Sequence, residues 1–183
     1  MKKVEVFPTP IWFKDFSDAD ALNIFVRLSD LILKEVKEKP TKSKSNAGDS
    51  LHTEVDFAGV IGDLEVGALL LPALIDATVR YWGIVSNKNS YNKRHHHPGG
   101  LLSGVLYLST PPGSGNLVLV DPRYGKMMET MTGRSNDHPG SLLTMKADKG
   151  RLIVFPSWLE HEVEFTTADQ PRIILSFNFN PIK

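Results

Sequence analysis

From residue 81 onward the chain keeps returning to short strand-like runs, most of them rich in apolar and β-branched residues, separated by glycine, proline or polar turn residues. The runs are YWGIVSN (81–87), RHHHP (94–98), LSGVLYLS (102–109), NLVLVD (116–121), SLLTMKA (141–147), RLIVFP (151–156), HEVEFT (161–166) and RIILSFNFN (172–180). Helices need longer stretches with a 3.6-residue period, so eight such runs in succession predict a sandwich or barrel of jelly-roll type. The N-terminal part differs in texture. VEVFPTPIWF (4–13) reads as an edge strand interrupted by Pro8 and Pro10. Residues 17–39 read as a helix, with Ser17 as N-cap and Ala21, Ile24, Phe25, Leu28, Leu31, Ile32 and Val36 on one apolar face. Pro40 ends it, and 41–50 is a polar loop. A second helix is predicted over roughly 63–82, kinked at Pro72. The expectation is one domain over 1–183, with an N-terminal strand and supporting helices in 1–80 and a jelly-roll core in 81–183.

Composition removes several function classes. There is no cysteine, so disulfide frameworks, zinc–thiolate sites and thiol nucleophiles are excluded. The 21 basic and 21 acidic side chains cancel, which argues against general binding to a phosphate backbone. No apolar run approaches membrane-spanning length, and no apolar segment follows the N-terminal lysines, so the expected setting is cytoplasmic.

Three of the six histidines are consecutive, in NKRHHHPGG (92–100). Side chains alternate on a strand, so His95 and His97 share a face and His96 takes the other. Such a pair can share one metal ion, or can be an ordinary solvated cluster. His161 opens a later strand, which an antiparallel barrel can carry back beside the first. Glu160 and Glu162 face away from it and read as solvated carboxylates. In the last run, Ile173, Leu175, Phe177 and Phe179 form a packing face, and Arg172, Ile174, Ser176, Asn178 and Asn180 form the opposite one. An arginine and a serine on one face suit a carboxylate, or an exposed edge strand. The segment 123–140 has no clear period and is the candidate lid or substrate loop.

Taken together, residues 82–180 resemble the iron(II)- and 2-oxoglutarate-dependent oxygenases, most closely the compact ones of bacteria and marine phages. The resemblance runs through Trp82, Tyr91, Asn92, His95, His97, Pro98 and Gly99, then through the strands around Gly104 and Tyr107. It continues through Gly115, Asn116 and Asp121, through Gly150, Pro156, Trp158 and His161, and through Arg172, Ser176 and Asn178. It implies a double-stranded β-helix and iron(II) with 2-oxoglutarate as cofactors. The implied metal ligands are His95, His97 and His161. Arg172 would hold the distal carboxylate of 2-oxoglutarate, assisted by Ser176, with Tyr107 and Asn178 as further contacts. The implied activity is a dioxygenase of hydroxylase type.

The widespread ligand pattern of these enzymes is His-x-Asp…His, and His97 stands here where the aspartate would be. Asp56 and Asp121 are alternative carboxylates, and His138 is a histidine that could reach the site from the long loop. Asn92 or Asn178 would hold the imidazoles by their second nitrogens, and Trp158 would pack at the strand turn. Two alternatives stay open: a cupin-like metalloprotein that does not use 2-oxoglutarate, and a non-catalytic viral structural jelly-roll. The substrate is left as a small molecule or a protein side chain, with no nucleic acid and no membrane as partner. The N-terminal strand and helix would either cap the barrel or form a homodimer contact.

Overall fold

The computed structural model describes residues 8–41, 45–53, 77–123 and 141–182. Eleven strands and one helix follow one another as β1 (Trp12–Asp15), α1 (Ala19–Glu38), β2 (Asn46–Ala47), β3 (Ser50–His52), β4 (Ala77–Ser86), β5 (Tyr91–His95), β6 (Leu102–Ser109), β7 (Leu117–Val120), β8 (Leu142–Met145), β9 (Arg151–Pro156), β10 (His161–Val163) and β11 (Arg172–Pro181). They form two antiparallel sheets, a major one in the order β1-β9-β6-β11-β4-β3 and a minor one in the order β2-β5-β10-β7-β8. This is the jelly-roll, or double-stranded β-helix, that the punctuated runs predict.

Strict alternation along the major sheet creates two cores. Tyr81, Val85, Leu106, Leu152, Val154, Ile173, Leu175, Phe177 and Phe179 pack outward against Phe25, Leu28, Ile32 and Val36 of α1. Ile84, Val105, Tyr107, Ile153, Phe155 and Ile174 point inward, toward Leu117 and Leu119 of the minor sheet. The helix therefore has its apolar stripe because one face of a sheet needs covering. Its N-cap is Asp18, one residue beyond the predicted Ser17, and the Asp18 carboxylate accepts from Ala21 N at 2.8 Å.

Several predicted boundaries move. The second helix was expected to reach residue 82, but 77–82 begin β4, and 63–76 lie outside the described residues. Thr78, Val79, Tyr81 and Trp82 are β-branched or aromatic, and ten-residue pairing with β11, from Arg172↔Ser86 to Pro181↔Ala77, outweighs local helical pattern. The N-terminal strand begins at Trp12, past both prolines, and 1–7 lie outside the described residues. The loop 41–50 contains β2 and the start of β3. The candidate lid falls almost wholly in 124–140, together with His138, and Asp56 falls in 54–76; both segments are outside the described residues.

Gly83 is where α1 approaches the sheet most tightly. A Cβ there would lie 2.5–2.8 Å from three side-chain carbons of Ile32. Gly83→Ala should therefore cost about 1–3 kcal/mol through overpacking. In chemical denaturation, the double variant Gly83→Ala/Ile32→Ala should lose less than the sum of the two single losses.

Candidate metal and anion site

The first wall of the inter-sheet space is set by the minor sheet. β10 lies between β5 and β7, and its first residue pairs with both, His161↔His95 and His161↔Leu119. Register alone thus puts two imidazoles side by side, with ring centroids 4.3 Å apart. His97 arrives differently. β5 stops at His95, so the alternation predicted for 94–98 does not extend to His97. Its backbone N–H donates to Ser157 O at 2.9 Å, which ties the chain to the turn leading into β10. Gly99 then takes a left-handed φ of 83°, and Gly100 sits so close to Ser157 that a Cβ would meet its Oγ at 2.6 Å. The result places the His97 ring 5.0 Å from His95 and 5.1 Å from His161.

One ring nitrogen from each of His95, His97 and His161 lies within 4.8 Å of the others. Backbone carbonyls hold two of the rings: His95 Nδ1 donates to Lys93 O at 2.6 Å, and His161 Nδ1 donates to Leu159 O at 2.9 Å. A carbonyl only accepts, so the proton is on Nδ1 and the lone pair on Nε2 is free to bind a metal. This orienting role was expected of Asn92 or Asn178, whose side chains do something else. Asn92 Oδ1 is buried without a partner among the described residues, and Asn178 Oδ1 accepts from Ser103 Oγ at 2.8 Å. His96 is exposed and outside the cluster.

Burial lowers the pKa of all three rings, and the charge of neighbouring histidines lowers it further, His96 acting on His95, and the other rings of the cluster with His96 acting on His97 and His161, to about 4 for His97 and about 3 for His161. They are neutral near pH 7, the state a metal requires. Among the described residues no carboxylate joins them. Asp121 is held by Arg123, and Glu162 accepts from Arg94 at 3.0 Å. Glu160 is exposed. Trp158, expected to pack at the turn, is 53% exposed instead.

The second wall belongs to β11. Arg172 is buried, with Nη1 donating to Gly115 O at 2.9 Å and Nη2 to Ser86 Oγ at 3.3 Å, and its Nε has no partner among the described residues. Burial pulls its pKa below the usual arginine range. No acidic residue pairs with it among the described residues. Tyr107, also buried, faces the same cavity and has its hydroxyl pushed up to about 12 by burial.

Ser176 does not join Arg172. It pairs opposite Trp82, four residues along β11 and so about 13 Å away. The hydroxyl beside the guanidinium is that of Ser86, which sequence reasoning missed because it closes a different strand. Its only signal was its place near the end of YWGIVSN, as the one polar residue on the face it shares with Trp82 and Ile84. The two walls enclose a cavity of about 880 Å³.

A jelly-roll whose cavity holds three converging imidazoles and a buried arginine with no acidic partner among the described residues presents a candidate metal site with a candidate anion site beside it. Comparison with known proteins narrows it. The family model described as "Putative 2OG-Fe(II) oxygenase" matches residues 80–178, and the chain belongs to that family of iron(II)- and 2-oxoglutarate-dependent oxygenases. No curated protein matches the sequence. Among solved structures, a Pseudomonas putida prolyl-4-hydroxylase is similar with TM-score 0.64 at 14% identity, over 96% of this chain and 94% of that one. HygX from Streptomyces hygroscopicus, solved with nickel and 2-oxoglutarate bound, is similar with TM-score 0.64 at 12% identity, over 94% and 83%. A prolyl hydroxylase from Trichoplax adhaerens, in complex with a peptide fragment of hypoxia inducible factor, gives 0.63 at 9%, over 93% and 83%. At these identities the likeness is one of fold. No described helix is long and apolar enough to cross a membrane.

Neutral buried imidazoles stabilise the metal-free fold above the unfolded histidine value of about 6.5, and that contribution is lost as pH falls through the lower folded values. The metal-free protein should therefore lose denaturation midpoint steadily from about pH 6.5 toward pH 4, and His97→Ala should flatten the slope. By calorimetry, one equivalent of nickel(II) should bind the wild type and His96→Ala alike, and His161→Ala should lose it.

Proposed function

We propose that this protein is an iron(II)- and 2-oxoglutarate-dependent dioxygenase of hydroxylase type. The observation that carries the proposal is Arg172: a guanidinium buried with an unpartnered Nε, facing a cavity whose other wall holds three neutral imidazoles. A buried charge with no acidic partner among the described residues costs several kcal/mol, which favours an anion beside it in the cavity. A cupin-like metalloprotein without 2-oxoglutarate would leave Arg172 with no task.

In this reading His95, His97 and His161 hold iron(II) through their cavity-facing nitrogens. An all-imidazole set suits iron, nickel, copper and zinc by donor type, and it leaves the ion's full charge to attract a dianion. Bound iron(II) with 2-oxoglutarate supplies the oxidative chemistry: substrate C–H, dioxygen and 2-oxoglutarate give substrate C–OH, succinate and carbon dioxide. The chain's own part is positioning. Arg172 would hold the distal carboxylate by charge-assisted hydrogen bonds, with Ser86 Oγ and Gly115 O keeping the guanidinium plane fixed. Tyr107, protonated across the physiological range, is available as a neutral donor to the same anion. The apolar side chains of Ile84, Val105, Phe155 and Ile174 exclude water from the space between.

Anaerobic addition of iron(II) and then 2-oxoglutarate should produce the weak visible band of the chelate, with succinate appearing once oxygen is admitted. Arg172→Met should weaken 2-oxoglutarate binding by about tenfold or more, as expected for losing a hydrogen bond to a charged group. Nickel(II) affinity should stay near wild type; unchanged 2-oxoglutarate affinity would sink the assignment.

A further inference from the structure

The cavity is also lined along β4 and β11 by Arg80, Trp82, Ser176 and Asn178, to which the reading above gives no part in holding the metal or the cosubstrate. The Trp82 ring lies 6.2 Å from His97 and 6.0 Å from His52. Arg80 is two residues away on the same face of β4, about 7 Å along the strand, and is exposed. In register opposite Trp82 and Arg80 are Ser176 and Asn178 of β11. Asn178 already accepts from Ser103 Oγ, so its amide N–H groups are what it can offer a ligand. Ser157 Oγ lies 2.8 Å from Ser103 Oγ, which fixes this orientation from behind.

The charge pattern is one-sided. Arg80, Lys93, Arg94 and Arg172 all line the cavity, and no aspartate or glutamate does so among the described residues. Over the whole chain the two signs are equal in number. Arg94 is neutralised by Glu162 and Arg172 belongs to the cosubstrate end, but Arg80 has no acidic partner among the described residues. A cation at the open end of a cavity, with no anion nearby, draws and orients negatively charged ligands.

We propose that this stretch is the substrate subsite and that the substrate is a small organic carboxylate. Its carboxylate sits on the Arg80 guanidinium and the Asn178 amide, with its apolar body against Trp82. One forked cation and one amide match the two oxygens of a carboxylate, whereas a phosphate dianion would call for more donors than this wall has. The assignment of these residues to substrate rests on the oxygenase reading above, which gives Arg172 to 2-oxoglutarate and leaves Arg80 unclaimed.

Phenylacetate and its uncharged amide, phenylacetamide, test it by ligand-observed NMR on the full, metal-free chain, with 2-oxoglutarate affinity read separately by calorimetry on the nickel(II)-loaded chain. Phenylacetate should bind the wild type at least tenfold more tightly than phenylacetamide. Arg80→Met should erase that preference while leaving 2-oxoglutarate affinity within twofold, and Arg172→Met should do the reverse. No phenylacetate binding at about 10 mM, where even a weak complex is populated, overturns the subsite. So does a preference that survives Arg80→Met, or one lost only in Arg172→Met. If the wild type fails to bind 2-oxoglutarate while the Arg80-dependent preference persists, the dioxygenase reading falls and the carboxylate subsite stands.

Discussion

β11 is hydrogen-bonded on both sides, to β4 and to β6, so none of its side chains can escape to a free edge. Each must go either toward α1 or into the cavity, and the alternation Arg172-Ile173-Ile174-Leu175-Ser176-Phe177-Asn178-Phe179 sorts them with little ambiguity. A register slip of one residue would put Ile173, Phe177 and Phe179 where Arg172, Ser176 and Asn178 now stand. The apolar half secures the fold by covering the helix. The polar half is thereby obliged to face inward, and burial of Arg172 follows from the pairing and not from any local preference of arginine.

The opposite wall obeys a related constraint. Two histidines meet because β10 pairs with β5, and the third is held by a backbone bond to the same turn that launches β10. The cluster is thus built largely from main-chain geometry, and main-chain carbonyls also set the tautomers of His95 and His161. The side chains contribute donor atoms; their placement is inherited from the sheet. This economy explains why so short a chain can present three nitrogens and a cation to one space, with α1 as the only described helix behind it.

Much of this was legible in the residues. The jelly-roll was readable because punctuated apolar runs leave few other architectures, and the two faces of β11 were readable because alternation is a property of one strand. The helix over 63–82 misled at its C-terminal end, where Thr78, Val79 and Tyr81 belong to a strand completed by a partner nearly a hundred residues away. The partners of the imidazoles were misread for a similar reason. Asparagine is the obvious side-chain candidate, whereas a carbonyl is present at every position and leaves no mark in the sequence.

What the sequence by itself determined is the periodicity: which side chains share a face, where the turns fall, and that histidines and an arginine are the only strong candidates for chemistry. Only the tertiary structure decided which faces oppose one another. It separated Ser176 from Arg172 and put Ser86 there instead, because neighbours across a sheet are chosen by register. It kept His97 in the cluster although its strand ends two residues earlier, through one backbone hydrogen bond to Ser157. Alternation is local and can be read along a chain; register and closure depend on distant segments meeting, and no short stretch encodes them alone.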